Sequence, residues 1–263
     1  MAHKTRIDLA AREIIGGRCM GNNAVRNIVK GRTLVNNAYR DIFFGIPIGT
    51  LDVGETVLMD IDGKETEFLV VNQGNPDGSV YDASCDGTWL LAKNILEQRI
   101  VDAVSSLYYS GSSIHEYLNG DFLNLLGDRV RDAITMAKIP YFVDTDTVAN
   151  GAEGLSCKIF LLSYAELNAA ITGVATKEGH NLSYFDTAYS VKPGANTHLI
   201  ATLDGIAESW MVRSFGSASA HYCAISSTGD WANLSAGRTT GIRPAMIMPF
   251  DTRVTNTRHE IMG

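Results

Sequence analysis

Residues 209–250 read SWMVRSFGSASAHYCAISSTGDWANLSAGRTTGIRPAMIMPF, and this stretch decides the fold class. Short runs of aromatic, β-branched and other apolar residues are separated by Ser, Gly and Asn, which interrupt regular structure. The pattern predicts a series of short β-strands joined by turns. We therefore expect the C-terminal part of the chain to be built mainly from sheet.

Further strands are predicted upstream by alternating or continuous apolar residues. Asp62-Gly63 is a hairpin signal, because both residue types tolerate the positive φ angles of a tight two-residue turn. The predicted strands, two of which flank that turn, cover residues 55–61, 65–72, 88–91 and 158–162.

Two helices are predicted among these strands. Apolar residues recur at helical spacing over residues 114–126, and Ser113 with Glu116 forms a capping box at the start. Ser163 with Glu166 forms a second capping box, which predicts a short helix directly after it. Short strands with two helices predict an α+β domain in which helices flank antiparallel sheet.

Length and composition indicate one large domain with an appendage. The chain has 263 residues, of which 45% are hydrophobic and 19% charged, which is typical of a globular protein. We divide it into an N-terminal arm over residues 1–43, a main domain over residues 44–251, and a C-terminal tail over residues 252–263.

The arm contains an internal repeat. Residues 15–28 (IGGRCMGNNAVRNI) and 29–42 (VKGRTLVNNAYRDI) are identical at seven of fourteen positions. Asn-Asn pairs suit tight turns, so each unit is predicted to be a strand-turn-strand element. Units this small are stable only when they stack on neighbours, which favours an arm completed by another subunit.

The arm is also basic, although the whole chain has a formal net charge of −7. Residues 1–42 carry +5, with Arg18, Arg26, Arg32 and Arg40 in the repeat, and the remainder carries −12. A nucleic-acid arm is the alternative to subunit assembly. Tyr39 is the only aromatic residue before Phe43, so the stacking side chains typical of nucleic-acid binding are missing. We expect assembly, and no nucleic-acid partner.

Cysteine spacing and hydropathy indicate the compartment. Cys19, Cys85, Cys157 and Cys223 lie 66 or more residues apart, without metal-ligand or redox-motif spacing. We find no signal-peptide pattern and no apolar run long enough to span a membrane. We therefore expect reduced thiols and synthesis in a bacterial cytoplasm.

Four segments of the main domain resemble, in order and spacing, a bacterial and phage domain family of unassigned function. They are residues 114–122 (IHEYLNGDF), 158–163 (KIFLLS), 209–214 (SWMVRS) and 241–245 (GIRPA). The family looks like a branch of the C-type-lectin-like fold, which also includes formylglycine-generating enzymes. The repeated arm resembles segments that precede this domain in phage tail proteins of gut Firmicutes.

The resemblance implies a virion protein, in a tail or fibre, with a lectin-like domain. It also implies that the terminal GIRPA strand closes the sheet and that the loops before it form the ligand face. The oxidase activity of the formylglycine-generating relatives needs two close cysteines, whereas this region has only Cys223. Common nucleotide, hydrolase and zinc-protease motifs are also missing. We expect no enzyme activity, no cofactor and no metal.

Two groups of residues are singled out in the C-terminal region. Structural roles in the sheet are expected for the residues that match the family signature, which are Trp210, Arg213, Ile242, Arg243 and Pro244. Ligand contacts are expected from the less regular Ser, Tyr, Trp and Asn-rich stretch between them, a composition typical of recognition loops. The ligand candidates are His221, Tyr222, Ser226, Asp230, Trp231, Asn233 and Arg238.

Three functions stay open. The first is adhesion to, or decoration of, a host surface through a cell-surface glycan or protein. The second is a capsid or baseplate subunit whose lectin-like domain only packs against other virion proteins. The third is an enzyme acting on host polymer, which needs converging carboxylates that the sequence does not reveal. Symmetry makes a homo-oligomer the expected state, and a fibre would use a trimer.

Overall fold

The computed structural model describes residues 45–101, 108–144, 147–169, 178–186, 194–215, 221–235 and 237–262, and the backbone of four strands within residues 17–43. These residues form 22 β-strands and three short α-helices. The arm strands are β1 (Gly17–Gly21), β2 (Ala24–Ile28), β3 (Lys30–Val35) and β4 (Ala38–Phe43).

The remaining elements follow in chain order. Up to the helices they are β5 (Ile46–Pro47), β6 (Thr56–Ile61), β7 (Lys64–Gln73), β8 (Thr88–Ala92) and β9 (Glu97–Ile100). The helices are α1 (Ser113–Asn119), α2 (Asp121–Asn124) and α3 (Asp128–Ala133). Next come β10 (Ala137–Ile139), β11 (Tyr141–Phe142), β12 (Val148–Ala149), β13 (Leu155–Cys157), β14 (Ile159–Phe160), β15 (Ala201–Leu203) and β16 (Ile206–Glu208). The last are β17 (Trp210–Phe215), β18 (His221–Ile225), β19 (Trp231–Ser235), β20 (Thr239–Ile242), β21 (Ala245–Met248) and β22 (Arg253–Val254).

The arm strands pair as two antiparallel hairpins, β1 with β2 and β3 with β4. Gly21 pairs with Ala24 and Val35 with Ala38, so each loop has two residues. The predicted strand-turn-strand units are confirmed at the level of backbone pairing. The Asn-Asn pairs themselves lie outside the described residues.

One five-stranded antiparallel sheet has the order β14-β21-β8-β7-β6. The predicted hairpin joins β6 and β7, with Asp62 at φ +52° and Gly63 at φ +77°, as a two-residue turn of this type requires. All five residues of β8 are buried. Leu90 packs in one apolar cluster and Trp89 and Leu91 in the other, because both faces of this sheet are covered.

The second five-stranded sheet has the order β19-β18-β17-β20-β9 and contains most of the stretch that decided the fold class. Its strands pair antiparallel except β17 with β20, which are parallel. β19 and β9 are its edge strands. Sheet with few helices makes this an α+β, sheet-rich fold, which confirms the predicted class at that level.

The helical prediction is only partly correct. Ser112, not Ser113, caps α1, because its hydroxyl accepts the backbone N–H of His115 at 3.3 Å. The helix ends at Asn119 and a separate turn, α2, begins at Asp121. The helix ends because Gly120 has a non-helical backbone, with φ −115° and ψ −97°. The side-chain amide of Asn119 donates to the carbonyl of Ile159 at 2.8 Å, which fastens α1 to β14.

The predicted second helix is wrong, although its capping box forms. The Ser163 N–H donates to Glu166 Oε2 at 2.9 Å, and the Glu166 N–H donates to Ser163 Oγ at 3.2 Å. Residues 164–168 make only a turn, because Asn168 has φ +53° and the N–H of Ala169 returns to the carbonyl of Tyr164. The box therefore positions Glu166 instead of starting a helix.

The described C-terminal residues pack on strands of the main domain. β22 pairs with β5, and Ile261 donates its N–H to Leu58 in β6. Val254 is fully buried in the first apolar cluster. None of the described helices is long and apolar enough to cross a membrane.

A buried ion pair connects the segments around β17. Arg213 donates to both carboxylate oxygens of Glu166, each at 2.6 Å, and to the carbonyls of Pro140 at 3.1 Å and Leu161 at 2.8 Å. A second carboxylate, Glu178, lies with Oε1 3.5 Å from Arg213 Nε. The side chains of Arg213, Glu166 and Glu178 are completely buried.

Glu178 has an unusual acidity. Burial raises its pKa from 4.5 to about 7, although Arg213 and a 2.7 Å hydrogen bond from Ser214 favour the ionised form. Between these two pH values the folded state keeps a proton that the unfolded chain has lost. The free energy of unfolding is therefore expected to fall as pH rises through this window.

We predict that Glu178→Gln weakens this pH dependence, because the amide is neutral at every pH. The free energy of unfolding, measured by urea denaturation at pH 5 and pH 8, should fall less in the variant than in the parent. The matched control is Glu153→Gln, which changes an exposed carboxylate and should keep the parent's slope. An equal dependence of stability on pH in Glu178→Gln and in the parent would contradict the raised pKa of Glu178.

Candidate functional site

The signature residues are all buried and structural. Arg243 lies over the ring of Trp210, 4.5 Å from its centroid, and donates to the carbonyl of Ala92 at 3.0 Å. Trp210 donates its indole N–H to the carbonyl of Leu199 at 2.9 Å. Ile242 and Pro244 are buried beside them. These residues join β17, β20 and β8, as expected for sheet-fixing positions.

The ligand candidates other than Arg238 lie in one hairpin, formed by β18, the turn over residues 226–230, and β19. In the register Trp231 faces Ile225 and Asn233 faces Cys223. Along β19, Trp231, Asn233 and Ser235 are exposed, whereas Leu234 between them is buried. We call the surface formed by Trp231, Asn233 and Ser235 the recognition face.

The turn before the recognition face is held by its own side chains. Ser226 Oγ accepts the N–H of Asp230 at 3.1 Å and lies 2.9 Å from the hydroxyl of Thr228. Thr228 donates to Asp230 Oδ2 at 2.9 Å. Asn196 contacts the other oxygen of Asp230 at 3.4 Å. Ser226 and Asp230 are therefore half-buried parts of the turn and support the recognition face.

A buried tyrosine links the two strands of the hairpin. The Tyr164 hydroxyl lies 2.7 Å from the carbonyl of Ala224 in β18 and 3.2 Å from that of Ala232 in β19. Burial raises the pKa of Tyr164, so the hydroxyl keeps its proton and can donate it. Sequence reasoning missed this residue, because nothing local marks it as a partner of a hairpin 60 residues away.

Tyr222 is a correction among the ligand candidates. Its side chain is fully buried in the first apolar cluster, since β18 is an inner strand covered on both faces. It cannot contact a ligand at the recognition face. Arg238 is exposed beyond the end of β19, and its N–H donates to the carbonyl of Ser235 at 3.0 Å. The side chain of His221 lies outside the described residues.

The described cysteine thiols are not suited to act as nucleophiles or metal ligands. Cys85, Cys157 and Cys223 are buried, and desolvation raises the pKa of each thiol to about 12. Thiols with such pKa values stay protonated and are poor nucleophiles. Within the described part of the chain, no group of three or more His, Cys, Asp or Glu residues could hold a metal ion.

A cavity of about 480 Å³ lies between α1 and the edge strand β9. The Arg99 guanidinium lies over the Tyr117 ring, 3.3 Å from its centroid, and contacts Glu97 at 3.1 Å. Tyr117 in turn donates its hydroxyl hydrogen to Glu97. These polar side chains, which line the cavity, bind one another. The cavity is therefore a weaker candidate for a ligand site than the recognition face.

Comparison with known proteins returns one match. Residues 86–250 match the family model described as a domain of unknown function, DUF6273. Neither the search of curated proteins nor the search of solved structures gives a match. The matched region starts just before β8 and ends just after β21, so it includes the buried ion pair and the recognition face.

We predict that solute quenching will report on the recognition face alone. The chain has three tryptophans; Trp89 and Trp210 are fully buried, whereas 40% of Trp231 is exposed. Acrylamide should quench mainly Trp231, and Trp231→Phe should remove most of the quenchable emission. Unchanged quenching in Trp231→Phe would show that this residue is not at the surface.

We also predict that Gly229→Ala strains the turn. Gly229 has φ +82°, and an added Cβ would lie 2.3 Å from the carbonyl oxygen of Asn196. The free energy of unfolding in urea should fall by about 1–3 kcal/mol. Gly237→Ala is the control, because an added Cβ there meets nothing within 4 Å. Equal stability of the two variants would contradict the turn geometry.

Proposed function

Because the chain belongs to the DUF6273 family, whose function is unknown, we propose a function from its own residues: it is a non-catalytic recognition protein. The proposed ligand is a host cell-surface glycan, bound at the recognition face. One observation carries this proposal. An exposed tryptophan is set beside an exposed amide and hydroxyl on one face of an edge strand whose turn and backbone are held by hydrogen bonds.

The chemistry of this face suits a sugar. The flat indole of Trp231 can cover the C–H face of a pyranose ring, and Asn233 and Ser235 can exchange hydrogen bonds with its hydroxyls. The hydrogen-bonded hairpin loses little conformational entropy on binding, because Tyr164 and the Ser226–Asp230 bonds already hold it in place. A rigid aromatic anchor among adaptable polar groups is typical of recognition surfaces.

The ionisable groups with shifted pKa values support binding over catalysis. Glu178 has a pKa of about 7, which would suit a general acid, yet it is buried beside Arg213 and bonded to Ser214. The three described thiols are buried and protonated. These groups are occupied in holding the interior together, so they favour a structural role.

The finer fold and the biological setting are part of the same proposal. We propose a C-type-lectin-like domain, supported by the position of the GIRPA segment: β20 lies inside the second sheet and β21 inside the first. We propose a phage virion as the setting, in a tail or fibre, on the resemblance of the repeated arm to phage tail proteins. Residues 1–43 are then an assembly arm, and a homo-oligomer presents several recognition faces with added avidity.

A packing role is the second candidate, and one observation favours it. β19 is an edge strand, so in the described structure one side of its backbone pairs with no other strand. A neighbouring subunit could add a strand there, as sheet edges often allow. In that case Trp231 would be buried between subunits and would bind no sugar.

We predict that Trp231→Ala weakens glycan binding while leaving the fold intact. Binding of the full chain to an array of bacterial cell-wall and capsular glycans, and to intact gut Firmicutes cells, should weaken about tenfold or more, which is at least 1.4 kcal/mol. Asn233→Ala should weaken binding to a smaller extent. The control is Ile206→Ala, which removes a 67% exposed apolar side chain from the β15–β16 hairpin and should bind normally.

The outcomes separate the candidates. Binding that all three variants retain would overturn the recognition face. If the parent protein binds no glycan but Trp231→Ala lowers its oligomeric mass in light scattering, the packing role replaces recognition. Binding to cells that survives removal of surface glycans, yet is lost in Trp231→Ala, would replace the glycan by a protein ligand.

A further inference from the structure

The buried cluster around Arg213 contains two carboxylates for one guanidinium. Glu166 already meets Arg213 with two bonds of 2.6 Å each. Glu178 is the second carboxylate, and the side chains of all three residues are completely buried. The cluster is neutral when Glu178 is protonated and carries an unbalanced negative charge when Glu178 is ionised. Burial of an unbalanced charge is costly, so the folded interior favours the protonated form.

The hydrogen bonds of Glu178 fit that protonated form. Its Oε2 accepts the hydroxyl of Ser214 at 2.7 Å. Its Oε1 is buried without a hydrogen-bond partner among the described residues and lies 3.5 Å from Arg213 Nε. Buried carboxylates usually accept several short bonds, as Glu166 does from Arg213 and from the N–H of Ser163. The raised pKa of Glu178 agrees with this geometry.

The other ionisable side chains around the cluster supply no compensating charge. They are the phenols and thiols of Tyr81, Tyr109, Tyr164, Cys85, Cys157 and Cys223. Burial raises the pKa of each, so they are uncharged near neutral pH. The backbone of Phe142 favours the ionised form of Glu178, as Ser214 does, yet burial outweighs both. Glu178 is therefore the group of this cluster that changes its charge near neutral pH.

Glu178 belongs to a segment, residues 178–186, that packs into the interior without joining a sheet. Leu182 and Phe185 are fully buried in the second apolar cluster. Gly179 has φ +120°, and an added Cβ would collide with the hydroxyl of Tyr81. The regular structure of this segment is one short 3-10 turn at residues 183–185. It can therefore leave the interior without breaking a strand pairing, as locally opening units do.

Ser214 connects Glu178 to the hairpin that carries the recognition face. Its hydroxyl donates to Glu178 and its oxygen accepts the N–H of Tyr164 at 3.0 Å. The Tyr164 hydroxyl in turn lies within hydrogen-bond distance of the carbonyls of Ala224 and Ala232, one in each strand of the hairpin. Displacement of Glu178 therefore disturbs the residue that links the two strands.

We propose that Glu178 is a proton switch of the recognition face. With the proton bound, segment 178–186 stays docked and the hairpin is held in place. When the carboxyl ionises, the segment detaches, the hairpin loosens and binding at the recognition face weakens. This inference rests on the proposed function for what the face does, and it adds regulation of that face by pH.

The direction of the effect follows from the two states of the segment. The docked carboxyl keeps its proton up to a pKa of about 7, whereas a detached, hydrated carboxyl loses it near 4.5. Docking is therefore most favourable below pH 4.5 and weakens as pH rises through 7. Linkage between these two pKa values makes the open fraction rise about tenfold between pH 6 and pH 8.

Hydrogen exchange of the full chain, followed by mass spectrometry at pH 6 and pH 8, tests the switch. After correction for the intrinsic exchange rate, protection of residues 178–186 should fall about tenfold at pH 8, and residues 222–235 should lose protection with them. At both pH values the segment should exchange faster than β7 and β8, because it opens without unfolding the sheets. A segment as protected as β7 and β8, or one unaffected by pH, would overturn the proposal.

Two variants of this segment identify the titrating group. Glu178→Gln should lose the pH dependence of exchange, because an amide does not ionise. His180→Gln is the matched control, since His180 is exposed in the same segment and histidines commonly change charge in this pH range. It should behave like the parent. If His180→Gln loses the pH dependence and Glu178→Gln retains it, the switch is assigned to the wrong residue.

Ser214→Ala tests the connection to the hairpin and also serves if Glu178→Gln does not fold. It removes a hydrogen bond that favours the ionised form, so the segment should lose protection at a higher pH than in the parent. Protection of residues 222–235 should then depend less on pH. The control is Ser227→Ala, at an exposed serine of the turn, which should match the parent. A parent-like response of both regions in Ser214→Ala would contradict the connection.

Glycan binding provides the functional readout and separates the two proposals. On the array of bacterial cell-wall and capsular glycans, the parent should bind more weakly at pH 8 than at pH 6, by up to about tenfold, and Glu178→Gln equally at both. If exchange responds as expected but the parent binds no glycan, the proposed function fails and the switch in the fold stands. If binding depends on Trp231 and is equal at both pH values, the proposed function stands and its regulation by Glu178 is wrong.

Discussion

The buried charge of Arg213 is the constraint on which the interior depends. A guanidinium loses its hydration when it is buried, and the loss is offset only when nearly all its N–H groups find acceptors. Here one side chain meets the carboxylate of Glu166 with two bonds and also the carbonyls of Pro140 and Leu161. The segments before β11, after β14 and along β17 must therefore stay in fixed positions relative to one another. Removing the Glu166 carboxylate would leave Glu178, 3.5 Å away, as the carboxylate beside this buried charge.

This constraint explains what the family signature encodes. The segment KIFLLS supplies Leu161 and Ser163, the segment WMVRS supplies Arg213, and GIRPA supplies Arg243, which stacks on Trp210. All of these groups face the interior and hold strands of two sheets. The segments that carry the resemblance therefore belong to the core. The recognition face lies outside these signature positions, on an edge strand where residues can change without disturbing the ion pair.

The errors of sequence reasoning have one physical origin, which is that local patterns do not reveal long-range partners. Ser163 and Glu166 form the reciprocal bonds of a capping box, yet the turn ends at Asn168 and the carboxylate serves Arg213. Tyr222 belongs to a stretch with the composition of a recognition loop, yet its strand is covered on both faces. Composition singled out this hairpin as a candidate and could not tell its inner strand from its outer one.

The sequence by itself determined the elements that need only neighbours along the chain. The Asp62-Gly63 hairpin, the short C-terminal strands and the arm units follow from turn chemistry and residue periodicity, which act within a few residues. Which side of each strand is covered and which carboxylate meets Arg213 follow only from the folded chain. Those outcomes depend on pairing register and on packing between distant segments, because a side chain is buried only when other parts of the chain cover it.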